Sequence, residues 1–203
     1  MIKNIIFDFG GVVLKHKATL IQDILNKIFP DDSGKAEEIF QKHKIPLNTG
    51  KNTSDDFIFE LKKNIGTTLT TEEIKHKWKE LYKREVKNVD WKLLDFIERL
   101  KEKYKVYLFT DTIDVHDEYN KTRNIYERFH KAYKSFEEGV AKSAGKESYL
   151  YLLSKIGAVP EECLFIDDLE NNVRTAEEVG IKGIVYKNLN QLQKRLELQG
   201  IEV

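Results

Sequence analysis

Three segments of this sequence end short apolar runs on carboxylates, and they are where its chemistry can lie. Ile5-Ile6-Phe7 runs into Asp8, with Gly10-Gly11 just beyond. Val106-Tyr107-Leu108-Phe109 runs into Thr110-Asp111-Thr112, and Cys163-Leu164-Phe165-Ile166 runs into Asp167-Asp168. A short, wholly apolar run that stops at a turn reads as a central strand of a parallel sheet, buried on both faces. In an open parallel sheet the loops at the carboxyl ends of the strands converge on one crevice, where strand order switches. Four carboxylates brought together there repel one another unless a cation holds them. Hard oxygen ligands with room for water suit Mg²⁺, which takes one or two protein carboxylates together with phosphate oxygens. A single Asp after a strand is ordinarily a cap for the next helix or turn. Three strand ends of the same polarity point instead to metal and phosphate chemistry.

The elements that must position these residues follow from hydrophobic spacing. Gly183-Ile184-Val185-Tyr186 reads as a further strand and Lys131–Ser135 as a weaker one. Helical spacing links Leu93, Leu94, Ile97 and Leu100, then Tyr149, Leu152, Leu153 and Ile156 with Gly157 as a stop. It recurs in Val173, Ala176 and Val179 with Gly180 as a stop, and in Leu189, Leu192 and Leu196. This alternation predicts an α/β fold, a doubly wound parallel sheet. Residues 16–88 interrupt it with helical spacing alone (Ile21, Ile24, Leu25 and Ile28; Phe57, Ile58 and Leu61; Ile74, Trp78, Leu81 and Tyr82), broken at Pro30–Gly34, Pro46 and Gly50. The predicted organisation is a core of 1–15 and 89–203 with a helical insertion at 16–88.

Composition narrows the function classes. The chain has 203 residues, 34 basic and 34 acidic, so its formal net charge is zero and no global field draws it to nucleic acid or anionic lipid. The Lys-rich insertion interleaves acidic residues and reads as a solvated face. No apolar run approaches the ~20 residues of a membrane span. Asp8 comes too early for a secretory signal peptide, and one cysteine, Cys163, makes neither an intrachain disulfide nor a Cys-based zinc site. A reducing cytoplasm is the expected compartment.

With these elements in place, the chain resembles the haloacid dehalogenase (HAD) superfamily across essentially its whole length. Ile5–Val12 resembles the first motif of that family, Leu108–Thr112 the second, Ser135–Lys142 the approach to the third motif's lysine, and Phe165–Val173 the fourth, continued by Ala176 and Gly180-Ile181. The insertion corresponds in position to the family's helical cap of the first type. The resemblance implies hydrolysis of a small phosphorylated metabolite through an aspartyl-phosphate on Asp8. A carboxylate nucleophile splits one hard displacement into two easier ones. It implies Mg²⁺ held by Asp8, the Gly10 carbonyl and Asp168, with Asp167 and Asn172 behind them. Thr110 would bond a phosphoryl oxygen and Lys142 would neutralise Asp8 and the phosphate. The usual spacing before Tyr149 would land on Ser143, so Lys142 requires one extra residue, for which Ala144-Gly145 gives room; Lys146 is the rival.

Two departures bear on catalysis. Family phosphatases usually carry a second Asp two residues after the nucleophile as general acid and base, and Gly10 stands there. Asp111 occupies a position where the family often has Asn. One reading makes Asp111 the replacement acid, touching substrate beside Thr110 and Lys142; the other makes it a local cap or ion-pair partner. The departures also keep open a weakly active or non-catalytic HAD-fold binding protein and, further off, a dehalogenase or phosphomutase. His16, where the chain enters the insertion, and His116, beyond the second motif, could face a substrate, though the ordinary reading of His116 is a helix-surface residue. His43, His76 and His130 read as surface residues, Trp78 and Trp91 as packing anchors, Cys163 as inert core, and Thr70–Glu73 as helix-cap chemistry.

Overall fold

The computed structural model describes residues 1–17 and 19–202; Ala18 of the predicted insertion and Val203 of the predicted core lie outside the described residues. In chain order the elements are β1 (Asn4–Phe7), α1 (Leu20–Ile28), α2 (Ser33–Asn48), α3 (Ser54–Ile65), α4 (Thr71–Glu85), α5 (Trp91–Leu100), β2 (Lys105–Thr110) and α6 (Asp114–Lys121). They continue with β3 (Lys131–Lys134), the single turn α7 (Ser135–Glu138), α8 (Glu147–Ile156), β4 (Cys163–Asp167), α9 (Glu170–Glu178), β5 (Lys182–Val185) and α10 (Leu189–Leu198). Among the described residues no helix is long and apolar enough to cross a membrane.

The five strands form one parallel sheet in the order β3-β2-β1-β4-β5, the doubly wound α/β architecture expected. β1 and β4 are buried at every residue. Their apolar side chains each contribute roughly 1.5–3 kcal/mol on leaving water, which is why the most apolar runs take the centre. Strand order reverses between β1 and β4, where Phe7 is in register with Ile166. Asp8, one residue beyond Phe7, donates its backbone N–H to the Ile166 carbonyl at 2.8 Å, so Asp8 and Asp167 leave the sheet together.

Helices α1–α4 form the stretch between β1 and α5. α3 and α4 start with capping boxes at Thr53/Asp56 and Thr70/Glu73, each satisfying two N–H groups that a helix start leaves unbonded. The chain leaves and re-enters the sheet region side by side: Lys15 N bonds Asn88 O at 3.0 Å and Asp90 N bonds Val13 O at 2.9 Å. α4 then packs along α6, with Trp78 Nε1 donating to His116 Nε2 at 2.9 Å and Tyr82 stacked on the His116 ring at 3.9 Å between centroids.

Three expectations need correction. His116 is not on the surface but is buried against α4, because α6 turns a polar face inward and α4 supplies its partners. Trp91 is half exposed at the start of α5 rather than packed. Pro46 does not break a helix; it lies within the last turn of α2, which runs on to Asn48 before Gly50 turns the chain at φ +65°. Trp78 and Cys163 are buried as expected.

Candidate active site

The carboxyl ends of β1, β2 and β4 bring Asp8, Asp111, Asp167 and Asp168 to the same side of the sheet. One oxygen each from Asp8, Asp167 and Asp168 lie within 4.8 Å of one another. Among the described residues, Lys142 is the cation that pairs with them. Lys142 Nζ is 2.6 Å from Asp8 Oδ1 and 2.7 Å from Asp167 Oδ2, all three groups being nine-tenths buried or more. Burial opposes the ammonium's charge, but Asp167 and Asp8 outweigh it and push the Lys142 pKa up. Burial also raises the Asp8 carboxyl well above the ordinary carboxylate range, Lys142 pulls the other way, and Asp167 adds to the rise. Asp168 is raised by burial and then by Asp167.

Lys142 reaches this place from a 3-10 turn over Lys142–Ala144. Gly145 closes the turn at φ +106°, a conformation that favours glycine. The turn and Gly145 lie between the Lys142 backbone and the start of α8 at Glu147. Lys146, the rival, is exposed at the start of α8. The turn is tied down by Asp111, whose Oδ1 accepts the Lys142 N–H at 2.7 Å and whose Oδ2 accepts the Ser143 N–H at 3.1 Å. Both oxygens of Asp111 are thus engaged, which is the local-cap reading of that residue.

Asp167 is likewise occupied. Its Oδ1 accepts the Leu169 N–H at 2.8 Å, and Oδ2 accepts Asn172 Nδ2 at 3.0 Å in addition to Lys142. Asn172 is steadied in turn, its carbonyl accepting the Tyr149 hydroxyl at 3.0 Å. Thr110 is buried at the end of β2. Asp168 is half-buried and has no ion pair or hydrogen bond to another described side chain. Gly11 makes room for it: a Cβ there would stand 2.1 Å from Asp168 Oδ2, and its φ of +73° suits only glycine well. The loop bearing Gly11 is held by Lys15 Nζ, which donates to the carbonyls of Val12 at 2.8 Å and Gly11 at 3.2 Å.

Among the described residues, Asp8 and Asp167 share the buried ammonium of Lys142, Asp168 pairs with no other side chain, and Gly11 opens a cradle beside it. This donor set of hard oxygens fits a divalent cation such as Mg²⁺.

Two cavities meet here. An inner one of about 270 Å³ is lined by Asp8, Gly11, Lys142, Asp168 and Asn172. An outer one of about 320 Å³ runs between the sheet and the inserted helices, lined by Phe9, Leu20, Phe40, Thr110 and His116 among others. Sequence reasoning missed Glu37, Gln41, Lys44 and Asn48, which line these cavities from α2. Their spacing of four, three and four residues is one helix face, and a polar stripe at helical period was the signal available.

Residues 2–180 match the haloacid dehalogenase-like hydrolase family. The chain is 29% identical over 201 residues to D-ribitol-5-phosphate phosphatase of Bacteroides thetaiotaomicron, covering 93% of each chain. A HAD family enzyme from the same organism, crystallised with magnesium and inorganic phosphate, superposes with a TM-score of 0.78 at 27% identity, over 95% of this chain and 99% of that one. A HAD-like family hydrolase from Porphyromonas gingivalis superposes with a TM-score of 0.81 at 25% identity over 100% of both chains. The ordered strand-end motifs, the sheet they sit on and the match across most of the chain agree: this protein belongs to the haloacid dehalogenase-like hydrolase family.

Proposed function

We propose that this protein is a Mg²⁺-dependent phosphatase that hydrolyses a small phosphorylated metabolite through an aspartyl-phosphate on Asp8. The observation that carries the reading is the buried Asp8–Lys142–Asp167 arrangement at the point where strand order reverses. Lys142 holds Asp8 Oδ1, which leaves Oδ2 as the oxygen that attacks phosphorus. Asp167 and Asn172 hold Lys142 and the loop after β4 in place, so the charges that stabilise the transition state are set before substrate arrives. Thr110 and Lys142 bind phosphoryl oxygens, and Asp111 contributes by seating the turn that carries Lys142. Asp8, the Gly10 carbonyl and Asp168 would hold Mg²⁺, which when bound neutralises charge on the phosphoryl group.

The segment 16–88 serves as a cap over the core of 1–15 and 89–203, and the outer cavity beneath it takes the organic part of the substrate. Apolar Phe9 and Phe40 with polar Glu37 and Gln41 suit a small hydroxylated moiety. The relative named for D-ribitol 5-phosphate supports that class. The same reading places the protein in the cytoplasm, with Cys163 a reduced, buried thiol. The test is phosphate release from a panel of phosphorylated metabolites, with and without Mg²⁺, comparing wild type with Asp8→Asn. Release that ignores Mg²⁺ or survives the substitution would overturn the proposal.

A further inference from the structure

The inner cavity holds the groups that would receive a phosphoryl group, and the outer one has space for the organic part. The P–O bond that breaks must therefore lie where the two cavities join. Four residues line both: Gly10, His16, Lys44 and Asp111. Gly10 has no side chain. Both oxygens of Asp111 are taken by backbone N–H groups. Lys44 is exposed on α2, and an ammonium of that kind acts as a point charge for phosphate oxygens. His16 remains. Its Nε2 lies 2.8 Å, and its Cε1 3.3 Å, from where a Cβ on residue 10 would stand. The imidazole thus fills the volume into which a side chain at position 10 would project. The other ring nitrogen, Nδ1, lies 2.9 Å from the Lys17 carbonyl. A carbonyl only accepts, so Nδ1 is the donor in this bond and Nε2 is the nitrogen turned to the junction.

Resting on the phosphatase reading above, we propose that His16 is the general acid and base of this enzyme, working through Nε2 from the space vacated at Gly10. In the first step Asp8 Oδ2 forms a bond to phosphorus. The bond from phosphorus to the substrate oxygen breaks, its electron pair staying on that oxygen, and the proton on Nε2 moves to the same oxygen to give the free alcohol. In the second step a water oxygen attacks phosphorus and its proton moves to Nε2. The bond from phosphorus to Asp8 breaks, releasing inorganic phosphate and restoring the carboxylate and the protonated ring.

The test compares His16→Asn with wild type on glycerol phosphate, whose alkoxide leaves poorly, and on p-nitrophenyl phosphate, whose phenolate leaves without help. We expect kcat/KM to fall by about 10²–10⁴-fold on the alkyl ester and by less than tenfold on the aryl ester. Rapid mixing with the aryl ester should show a burst of nitrophenolate equal to the enzyme concentration, because water attack on the phosphoenzyme has lost its base. Equal losses on the two esters, a loss under threefold on the alkyl ester, or no burst would each overturn the role. A His16→Gly, Gly10→Asp double variant checks the shared volume: it should regain at least tenfold of the alkyl-ester activity lost in His16→Gly, and no regain would refute the claim. If wild type releases phosphate from neither ester, the phosphatase reading itself falls and this role falls with it, a failure distinct from the preceding ones.

Discussion

Replacing Asp111 with Asn separates a residue that seats Lys142 from one that donates a proton. The native carboxylate accepts two backbone N–H groups, from Lys142 at 2.7 Å and Ser143 at 3.1 Å. Asn offers one acceptor oxygen and turns an NH₂ toward the second N–H, so one bond is lost and two donors face each other. A hydrogen bond to a charged group contributes roughly 1.5–3 kcal/mol, and Asp111 is only half-buried, which favours the lower end of that range. At about 2–4 °C per kcal/mol for a chain of this size, Tm should fall by about 3–8 °C. The turn freed by the substitution carries Lys142, whose Nζ sits 2.6 Å from Asp8 Oδ1. A displacement approaching 1 Å at a reacting centre costs up to about 10²-fold, so kcat should fall about 10- to 100-fold. Because the damage is to positioning, alkyl and aryl phosphates should suffer alike. Thermal unfolding and steady-state rates on both ester types measure this. An unchanged Tm with a loss confined to alkyl esters would make Asp111 the acid and refute the tether, and a gain in activity would refute both roles.

Asp8→Asn should abolish turnover while the protein remains folded, read by circular dichroism and phosphate release; turnover within tenfold of wild type would remove Asp8 as nucleophile. Gly11→Ala forces a residue at φ +73° and sets a methyl group against Asp168. It should cost about 1–2 kcal/mol from the left-handed backbone alone and raise the Mg²⁺ concentration for half-maximal activity, and an unaltered Mg²⁺ titration would separate Asp168 from the metal. His116 is neutral in the fold because burial lowers its pKa from 6.5 to about 3. Below 6.5 the unfolded chain takes up a proton that the folded chain refuses until about 3, so across that window His116 removes up to about 1.4 kcal/mol of stability per pH unit. His116→Gln should flatten the decline in Tm between pH 6.5 and 4, and parallel curves for variant and wild type would contradict the assignment.

The sheet was legible because its strands are short, wholly apolar runs, and burial on both faces is the one environment that such runs satisfy. The carboxylates at their ends were legible for the same reason, since parallel strands deliver their carboxyl ends to one side. The burial of His116 was not. Along α6 the run Asp114-Val115-His116-Asp117 has no apolar stripe, and hydrophobic period reports only faces that are buried against apolar partners. What makes that face an interior one is Trp78 and Tyr82, 38 and 34 residues away in sequence (116 − 78 and 116 − 82), contributing an indole N–H and a flat ring.

Position 10 shows the same limit within the site. Read along the chain, Gly10 is a missing carboxylate and argues for a slow or inactive protein. Read in space, it is an opening, and what occupies an opening is decided by the path of the backbone that follows. Here Val13 and Lys15 pair with Asp90 and Asn88, which fixes where the chain turns back over the loop after β1. That pairing, and the hydrogen bond from the His16 ring to the Lys17 carbonyl, aim the imidazole at Gly10. Neither residue type is informative alone: a glycine after a strand-end aspartate is compatible with a turn, and a histidine at the mouth of an insertion with solvent. Their complementarity exists only as a distance. A side chain at position 10 would have to displace His16, and the ring and the missing side chain thus account for each other in one volume at the junction of the two cavities.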